Sequence, residues 1–223
     1  MLVERSMHPD WLSNAYVVAD REGGTAFFVD SGADVGPLLA AAKRWGATPA
    51  AALRTHSHHD HVVHEDELRA LGIDVVAEPG EWTWGDLEVR GVATPGHSDD
   101  MVAFLVGDEA VFTGDTLFKD AVGGGDLEQV RSSVMDVFMA LPDEVRVLPG
   151  HTDETTIGRE RESNPFVRVW RGAEPEGTER VRVGGRDATL VVWSPDYDGK
   201  GKAWVRFDDG TDAIVGGSRV ERG

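Results

Sequence analysis

The chain contains no cysteine. Disulfide bonds, thiolate metal ligands and a cysteine nucleophile are therefore excluded, and any metal or catalytic chemistry must use histidine and carboxylate side chains. Basic residues are also few, because 22 lysines and arginines stand against 40 aspartates and glutamates, for a formal net charge of −18. A surface of this charge does not neutralise phosphates, so we predict that nucleic acid is not a partner.

Long apolar runs and several catalytic motifs are missing as well. No stretch of about 18 apolar residues occurs, and the first residues lack a basic segment followed by an apolar core. We therefore expect a cytoplasmic protein without a membrane partner. The patterns GxSxG, GxxxxGKS/T and GxGxxG do not occur, so serine hydrolases and nucleotide-binding proteins receive no support.

The patterning of the chain predicts alternating strands and helices. Strand-like runs at 15–19 and 25–29, joined by a glycine turn, predict a β-hairpin near the start. Apolar residues at helical spacing predict helices over 34–45, 60–71 and 127–141. Short apolar runs predict further strands at 51–54, 73–77, 87–93, 101–106 and 110–113.

Several polar side chains follow these apolar runs in loop-like contexts. Within the string THSHHDH at 55–61, His56, His58, Asp60 and His61 lie at offsets 0, 2, 4 and 5. The contexts TPGH, TGDT and LPGH follow later strands. A histidine-rich stretch by itself is more simply a solvated loop, but the string, its three companions, their order and the flanking glycines together favour one shared site. Imidazole and carboxylate ligands suit zinc, iron or manganese. The candidate metal ligands are His56, His58, Asp60, His61, His97, Asp115 and His151.

Through THSHHDH, PGH, FTGDTLF and LPGH in that order, residues 10–166 resemble the metallo-β-lactamase superfamily, and within it the glyoxalase II-like (hydroxyacylglutathione hydrolase-like) metallohydrolases. The resemblance implies an α/β fold, a four-layer αββα sandwich with the metals at one edge of two facing sheets. It also implies two divalent ions, with zinc favoured over iron or manganese. One ion would be held by His56, His58 and His97, the other by Asp60, His61 and His151, with Asp115 as the bridge.

The glyoxalase II-like resemblance implies hydrolysis of a small-molecule thioester or ester. A hydroxide held between two cations has a lowered pKa and can attack a carbonyl carbon, and Asp60 and Asp115 are the carboxylates that we assign to catalysis. Glyoxalase II enzymes bind glutathione through basic and tyrosine residues after GDTLF and through a C-terminal helical extension, and this chain shows neither clearly. We therefore do not expect glutathione as the thiol carrier, and Lys119 is the candidate for a substrate contact after FTGDTLF. Asp99 and Asp100 follow His97 and would deter anionic substrates.

Three alternatives remain open. A persulfide dioxygenase would use a single iron, held by His56, His97 and Asp115. A lactonase would use the same dinuclear centre. A non-catalytic protein would use the metals only for stability and recruit a partner through its C-terminal part. The remaining histidines match no family ligand position and are assigned to structure: His8, His59 and His64.

The C-terminal part differs in character, and we predict a metallohydrolase domain at 1–170, a linker at 171–176 and a small β-rich module at 177–223. An SH3-like barrel and an extra hairpin packed on the main domain are both compatible with its short strand-like runs. Trp193 and Trp204 are expected to be exposed and to cap a pocket or an oligomer contact, so a homo-oligomer stays open. Since all seven ligands precede it, deletion after Gly172 is expected to leave metal binding intact.

Overall fold

The computed structural model describes all residues from Met1 to Gly223 and contains three β-sheets. The first sheet has five strands, in the order in which they occur along the chain: β1 (Leu2–Met7), β2 (Asn14–Ala19), β3 (Thr25–Val29), β4 (Thr48–Leu53) and β5 (Val75–Val76). β1, β2 and β3 pair antiparallel, whereas β3, β4 and β5 are parallel. The predicted hairpin is β2 and β3, and β1 precedes it.

The second sheet has six strands: β6 (Gly80–Trp84), β7 (Leu87–Ala93), β8 (Val102–Val106), β9 (Ala110–Gly114), β10 (Arg146–Pro149) and β11 (Thr155–Thr156). They follow one another across the sheet in sequence order. Only β9 and β10 are parallel, so these two strands end at the same edge of the sheet.

Six α-helices accompany the sheets: α1 (Gly36–Trp45), α2 (His59–Val62), α3 (Glu65–Ala70), α4 (Leu127–Ser132), α5 (Ile157–Ser163) and α6 (Pro165–Trp170). The helix predicted over 60–71 is interrupted between α2 and α3, where the His64 amide donates to the carbonyl of Ser31 at 3.0 Å instead of continuing one helix. The helix predicted over 127–141 widens after α4 into a π-helix, Ser133–Phe138. Its last turn is closed by the bond from Met139 N to Val134 O at 2.9 Å. No helix of the structure is long and apolar enough to span a membrane.

The first and second sheets pack face to face and carry helices on their outer faces. Successive residues of β2 point to opposite faces of the sheet, so Val17 joins the core beneath α1 and α3, whereas Val18 joins the core between the sheets. Phe27, Phe104 and Phe112 fill that inter-sheet core and are fully buried. On the other side, α4 and α6 cover the second sheet. The α/β layering expected from the sequence is therefore present.

The C-terminal part forms a third, antiparallel sheet, in the order β15, β14, β13, β12, β16. Its strands are β12 (Glu179–Val183), β13 (Arg186–Ser194), β14 (Lys202–Phe207), β15 (Asp212–Gly216) and β16 (Val220–Arg222). The strand-like runs read from the sequence lie within β12 to β15. The SH3-like architecture stays a prediction.

The third sheet shares its core with the preceding layers. Side chains of β13, β14 and β15 join the same apolar cluster as Phe166 and Trp170 of α6. Trp204 is therefore only 5% exposed, and its Nε1 donates to Asp212 at 2.9 Å, so the expectation that Trp204 is exposed was wrong. Trp193 is 39% exposed. The division at 171–176 stays a prediction, but the sheet beyond it is packed on the first part of the chain.

Candidate metal centre

The structure brings the seven candidate ligands together at one edge of the facing sheets. His56 follows β4, and the next three candidates lie at or within α2, so the string spans a strand-to-helix turn. His97 lies beyond the end of β7. Asp115 and His151 follow the parallel strands β9 and β10, whose carboxyl ends meet at the same edge.

Three imidazoles converge on the first part of the site. His58 Nδ1 lies 3.1 Å from His56 Nε2 and 3.0 Å from His97 Nε2. The ligand atoms of these three residues all lie within 4.8 Å of one another, as the ligands of a single ion must.

A second group lies beside the first and shares the carboxylate of Asp115 with it. Asp60 Oδ2 lies 3.4 Å from His151 Nε2 and 3.8 Å from His61 Nε2. Asp115 lies 3.3 Å from the Nε2 atoms of both His61 and His151, and 3.6 Å from His97 Nε2. Asp115 therefore occupies the position between the two groups.

This donor set fits divalent metal ions. His61 Nε2 and Asp115 Oδ1 are buried and have no hydrogen-bond partner in the protein. Buried polar atoms without a partner are costly, whereas a cation between them would satisfy both lone pairs. The histidine and aspartate cluster can therefore hold divalent metals.

The charges of the site agree with this role. Burial by itself would raise the pKa of Asp115, but the neighbouring His61 and His151 hold it well below its ordinary value. The hydrogen bond from His151 lowers the pKa of Asp60 to about 2. Burial lowers the pKa of His56 to about 4. Burial opposes a proton on His151, but Asp115 raises the pKa of His151 to about 9. Burial likewise opposes a proton on His61, but Asp115 raises the pKa of His61 well above its ordinary value. At neutral pH the two carboxylates are anionic, and His61 and His151 must each lose a proton to bind a cation.

A buried carboxylate that sequence reasoning missed orients His61. Asp30 Oδ2 accepts from His61 Nδ1 at 3.0 Å, which leaves His61 Nε2 free for an ion. The same carboxylate accepts from Thr55 N at 2.7 Å and from Thr55 Oγ1 at 2.8 Å. The available sequence signal was a single aspartate directly after the apolar strand β3.

Two further histidines have orienting partners, and Gly150 allows the ligand loops to approach one another closely. His97 Nδ1 donates to the carbonyl of Gly124 at 2.8 Å, and His56 Nδ1 lies 3.1 Å from Thr55 Oγ1. A Cβ atom at Gly150 would collide with the carboxylate of Asp115 and the ring of His61. The glycine of LPGH therefore permits the close approach of three ligand loops.

The other residues considered in the sequence lie outside the two donor groups and Asp115. Lys119 is 3.9 Å from Asp153 at the surface. Hydrogen bonds from Ser98 and Ser57 overcome the effect of burial and lower the pKa of Asp100, so this acid is charged beside the site. The non-ligand histidines make surface contacts: His64 with Glu67, and His8 and His59 with Trp11.

Sequence reasoning also missed Tyr197, in the loop between β13 and β14. Its ring stacks on His151 with centroids 4.2 Å apart and an interplanar angle of 9°. Phe118 meets Tyr197 edge-on at 5.5 Å. Burial raises the pKa of Tyr197 above its ordinary value. The local sequence SPDYDGKG reads as a turn and gives no sign of this contact.

Comparison with known sequences gives several metallo-hydrolase relatives. No family model matches the chain. An uncharacterized protein of Mycobacterium tuberculosis is 32% identical, with 69% of this chain and 92% of that protein covered. The probable metallo-hydrolase YqgX of Bacillus subtilis is 30% identical, with 70% and 92% covered. The probable polyketide biosynthesis zinc-dependent hydrolase BaeB of Bacillus velezensis is 27% identical, with 71% and 81% covered.

Solved structures show the same similarity. The B3 metallo-β-lactamase BLEG-1 is 28% identical with a TM-score of 0.66, and 74% of this chain and 99% of that chain are covered. ETHE1 from Myxococcus xanthus is 26% identical with a TM-score of 0.67 and coverages of 78% and 92%. TTHA1623 in a di-iron-bound form is 31% identical with a TM-score of 0.61 and coverages of 72% and 98%.

Proposed function

Because the chain belongs to the metallo-β-lactamase superfamily, we propose that it is a dinuclear, glyoxalase II-like hydrolase that cleaves the thioester or ester bond of a small molecule. The observation that carries the proposal is the position of Asp115 between two complete three-residue donor groups. We propose zinc as the metal, with iron or manganese as alternatives. Two bound ions would supply an acidified water and polarise the carbonyl oxygen of the substrate.

The protein's own residues prepare the site for this chemistry. Asp60 and Asp115 are held anionic by their histidine neighbours, so both carboxylates can bind cations at neutral pH. Asp30 fixes the tautomer of His61 that presents Nε2 to an ion. The Gly124 carbonyl does the same for His97. No side-chain nucleophile is required, which agrees with the lack of a serine or cysteine catalytic motif.

For the substrate we propose an acyl-thiol or ester with little negative charge. The charged Asp100 is hydrogen-bonded to Ser57, the residue after His56, and Asp99 is its neighbour in sequence. Lys119, which directly follows the FTGDTLF motif, lies 3.9 Å from Asp153. Carboxylates of a glutathione carrier would therefore meet acids rather than free basic groups.

The mononuclear alternative has one observation in its favour. His97 Nε2 lies 3.6 Å from Asp115 Oδ2, and the ligand atoms of His56 and Asp115 lie within 4.8 Å of each other. These distances allow a single ion to be held by the three residues. The complete group of Asp60, His61 and His151 favours the dinuclear hydrolase, because a single-ion enzyme does not need it.

The decisive experiment combines metal content with a panel of reactions. Protein purified with excess metal should contain two ions per chain and hydrolyse a neutral aryl thioester faster than a glutathione thioester, with a lactone as a third substrate. One iron per chain with oxygen uptake on a persulfide would instead support the dioxygenase. His58→Asn should lose metal and activity, whereas its exposed neighbour His59→Asn provides the matched control and should retain both.

A further inference from the structure

His151 is held differently from three of the other four histidines of the site. Its Nδ1 atom is buried and has no hydrogen-bond partner in the protein. Metal-binding histidines normally donate the second ring nitrogen to an acceptor, which fixes the plane of the ring. Three others here have such contacts: His61 with Asp30, His56 with Thr55, and His97 with Gly124.

Aromatic rings surround His151 where that partner is missing. Tyr197 lies almost parallel to the imidazole, 4.2 Å away at 9°. Phe118 meets the imidazole edge-on at 5.8 Å and 84°. Rotation of the imidazole would drive it into one of these rings, so packing restricts its plane. An imidazole bound to a cation also becomes electron-poor, which favours contact with the electron-rich face of a phenol.

The loop that carries Tyr197 is itself fixed. The side chain of Asp196 is 4% exposed and forms an ion pair with Lys202 at 2.9 Å. Asp196 also accepts from the Tyr197 amide at 2.9 Å, and its carbonyl accepts from Gly199 N at 3.0 Å. These contacts set the position of the tyrosine ring before any ion binds.

The same sheet also supports the opposite side of the site. Ile214 of β15 forms an isolated bridge with Gly125, next to the Gly124 carbonyl that orients His97. Ile214 is buried in the core shared with α4. The C-terminal sheet and its loop therefore contact a ligand of one donor group, His151, and the loop segment that orients His97 in the other group. The sheet itself contributes none of the seven ligands.

We propose that Tyr197 is a positioning residue for His151, and that the C-terminal sheet is thereby a functional part of the metal centre. Stacking takes the place of the missing hydrogen bond and keeps His151 Nε2 directed at the position shared with Asp60 and His61. The inference rests on the proposed dinuclear centre but not on any substrate. It reverses the expectation that a chain cut after Gly172 binds metal normally.

The test is ion affinity, measured by competition with a chromophoric chelator in the full-length protein. Tyr197→Leu should weaken the binding of one Zn²⁺ about 10- to 100-fold, the usual effect of removing an orienting partner, and leave the other ion within about threefold. Tyr197→Phe keeps the stacking and should restore both affinities. Phe207→Leu is the matched control, since Phe207 lies on the same sheet under Arg186 and contacts no ligand.

Spectra of the Co²⁺-loaded protein give a second measure, because the visible bands should change in Tyr197→Leu and not in Tyr197→Phe. If the leucine variant does not fold by circular dichroism, Tyr197→Gln replaces it. Unchanged affinities and spectra in the non-aromatic variant would refute the inference, as would a phenylalanine variant as weak as the leucine one. A wild-type chain that saturates at one ion refutes both this inference and the dinuclear proposal. If Tyr197→Leu selectively loses one ion but the wild-type protein hydrolyses none of the substrates tested, only the proposed reaction is refuted.

Discussion

Replacing Asp30 by asparagine tests how the protein keeps His61 ready for a metal ion. The carboxylate is buried and accepts three hydrogen bonds, from Thr55 N at 2.7 Å, Thr55 Oγ1 at 2.8 Å and His61 Nδ1 at 3.0 Å. Asparagine has the same shape but only one acceptor oxygen. Its NH2 group must face either the Thr55 amide or the imidazole, and each is a donor in the native arrangement.

Both orientations cost binding or stability. If the NH2 faces Thr55, a buried donor meets another donor. If it faces His61, the imidazole proton must move to Nε2, which then cannot bind an ion. A hydrogen bond to a charged group contributes about 1.5–3 kcal/mol. We expect Asp30→Asn to lower the free energy of unfolding by about that amount and to weaken the affinity for one ion about 10- to 100-fold.

Urea unfolding of the metal-free protein and Zn²⁺ competition measure these two quantities separately. Asp34→Asn is the matched control, because this exposed aspartate accepts from Gly36 N at 2.8 Å and asparagine can make the same bond. An Asp30→Asn protein with the unfolding free energy and ion affinity of the wild type would refute the assigned role of Asp30.

Three further outcomes follow from the site and its surroundings. Asp115→Ala should give a folded protein by circular dichroism with turnover reduced about a thousandfold or more, since the shared ligand is lost; near-normal activity at saturating metal would contradict the mechanism. Against the effect of burial, Asp115 raises the pKa of His151 to about 9, so protonated His151 stabilises the metal-free fold. This stabilisation is fully present below about pH 6.5 and is lost as the pH rises through 9. Zn²⁺ affinity should accordingly increase over the same range, and a pH-independent affinity in competition titrations would count against it. Glu160→Gln should lower the free energy of unfolding, measured in urea, by about 1–3 kcal/mol. The reason is that the fully buried carboxylate accepts hydrogen bonds from Thr155 Oγ1 at 2.6 Å and from Arg159 at 2.6 Å. An unchanged unfolding midpoint would show that these bonds are dispensable.

Local patterns in the sequence predicted most of the regular structure, and they failed where tertiary contacts intervened. Most β-strands were found because their apolar runs are short and bounded by turn residues, whereas β1, β6, β11 and β16 were not predicted. The helix expected over 60–71 is interrupted, since the ligand turn at Asp60 and His61 and the bond from His64 to Ser31 override its helical spacing. Trp204 looked like an exposed aromatic, but its burial depends on α6, whose contact with the third sheet is not encoded locally.

The sequence by itself selected the candidate donor set. Each of the seven candidate ligands lies in a short loop after a strand or within the short helix α2, and residue chemistry together with this placement singled them out. Their order also indicated the family, and with it the layered α/β fold.

Only the tertiary structure decided how those ligands are held. Asp30, Gly124 and Tyr197 lie far in sequence from the histidines that they contact, and each meets its partner only in the folded chain. Orientation of a ligand depends on hydrogen bonds and ring contacts between remote segments, and a single sequence carries no record of such pairs. For the same reason the C-terminal sheet looked separable in the sequence, whereas in the fold it contacts a ligand of the metal centre.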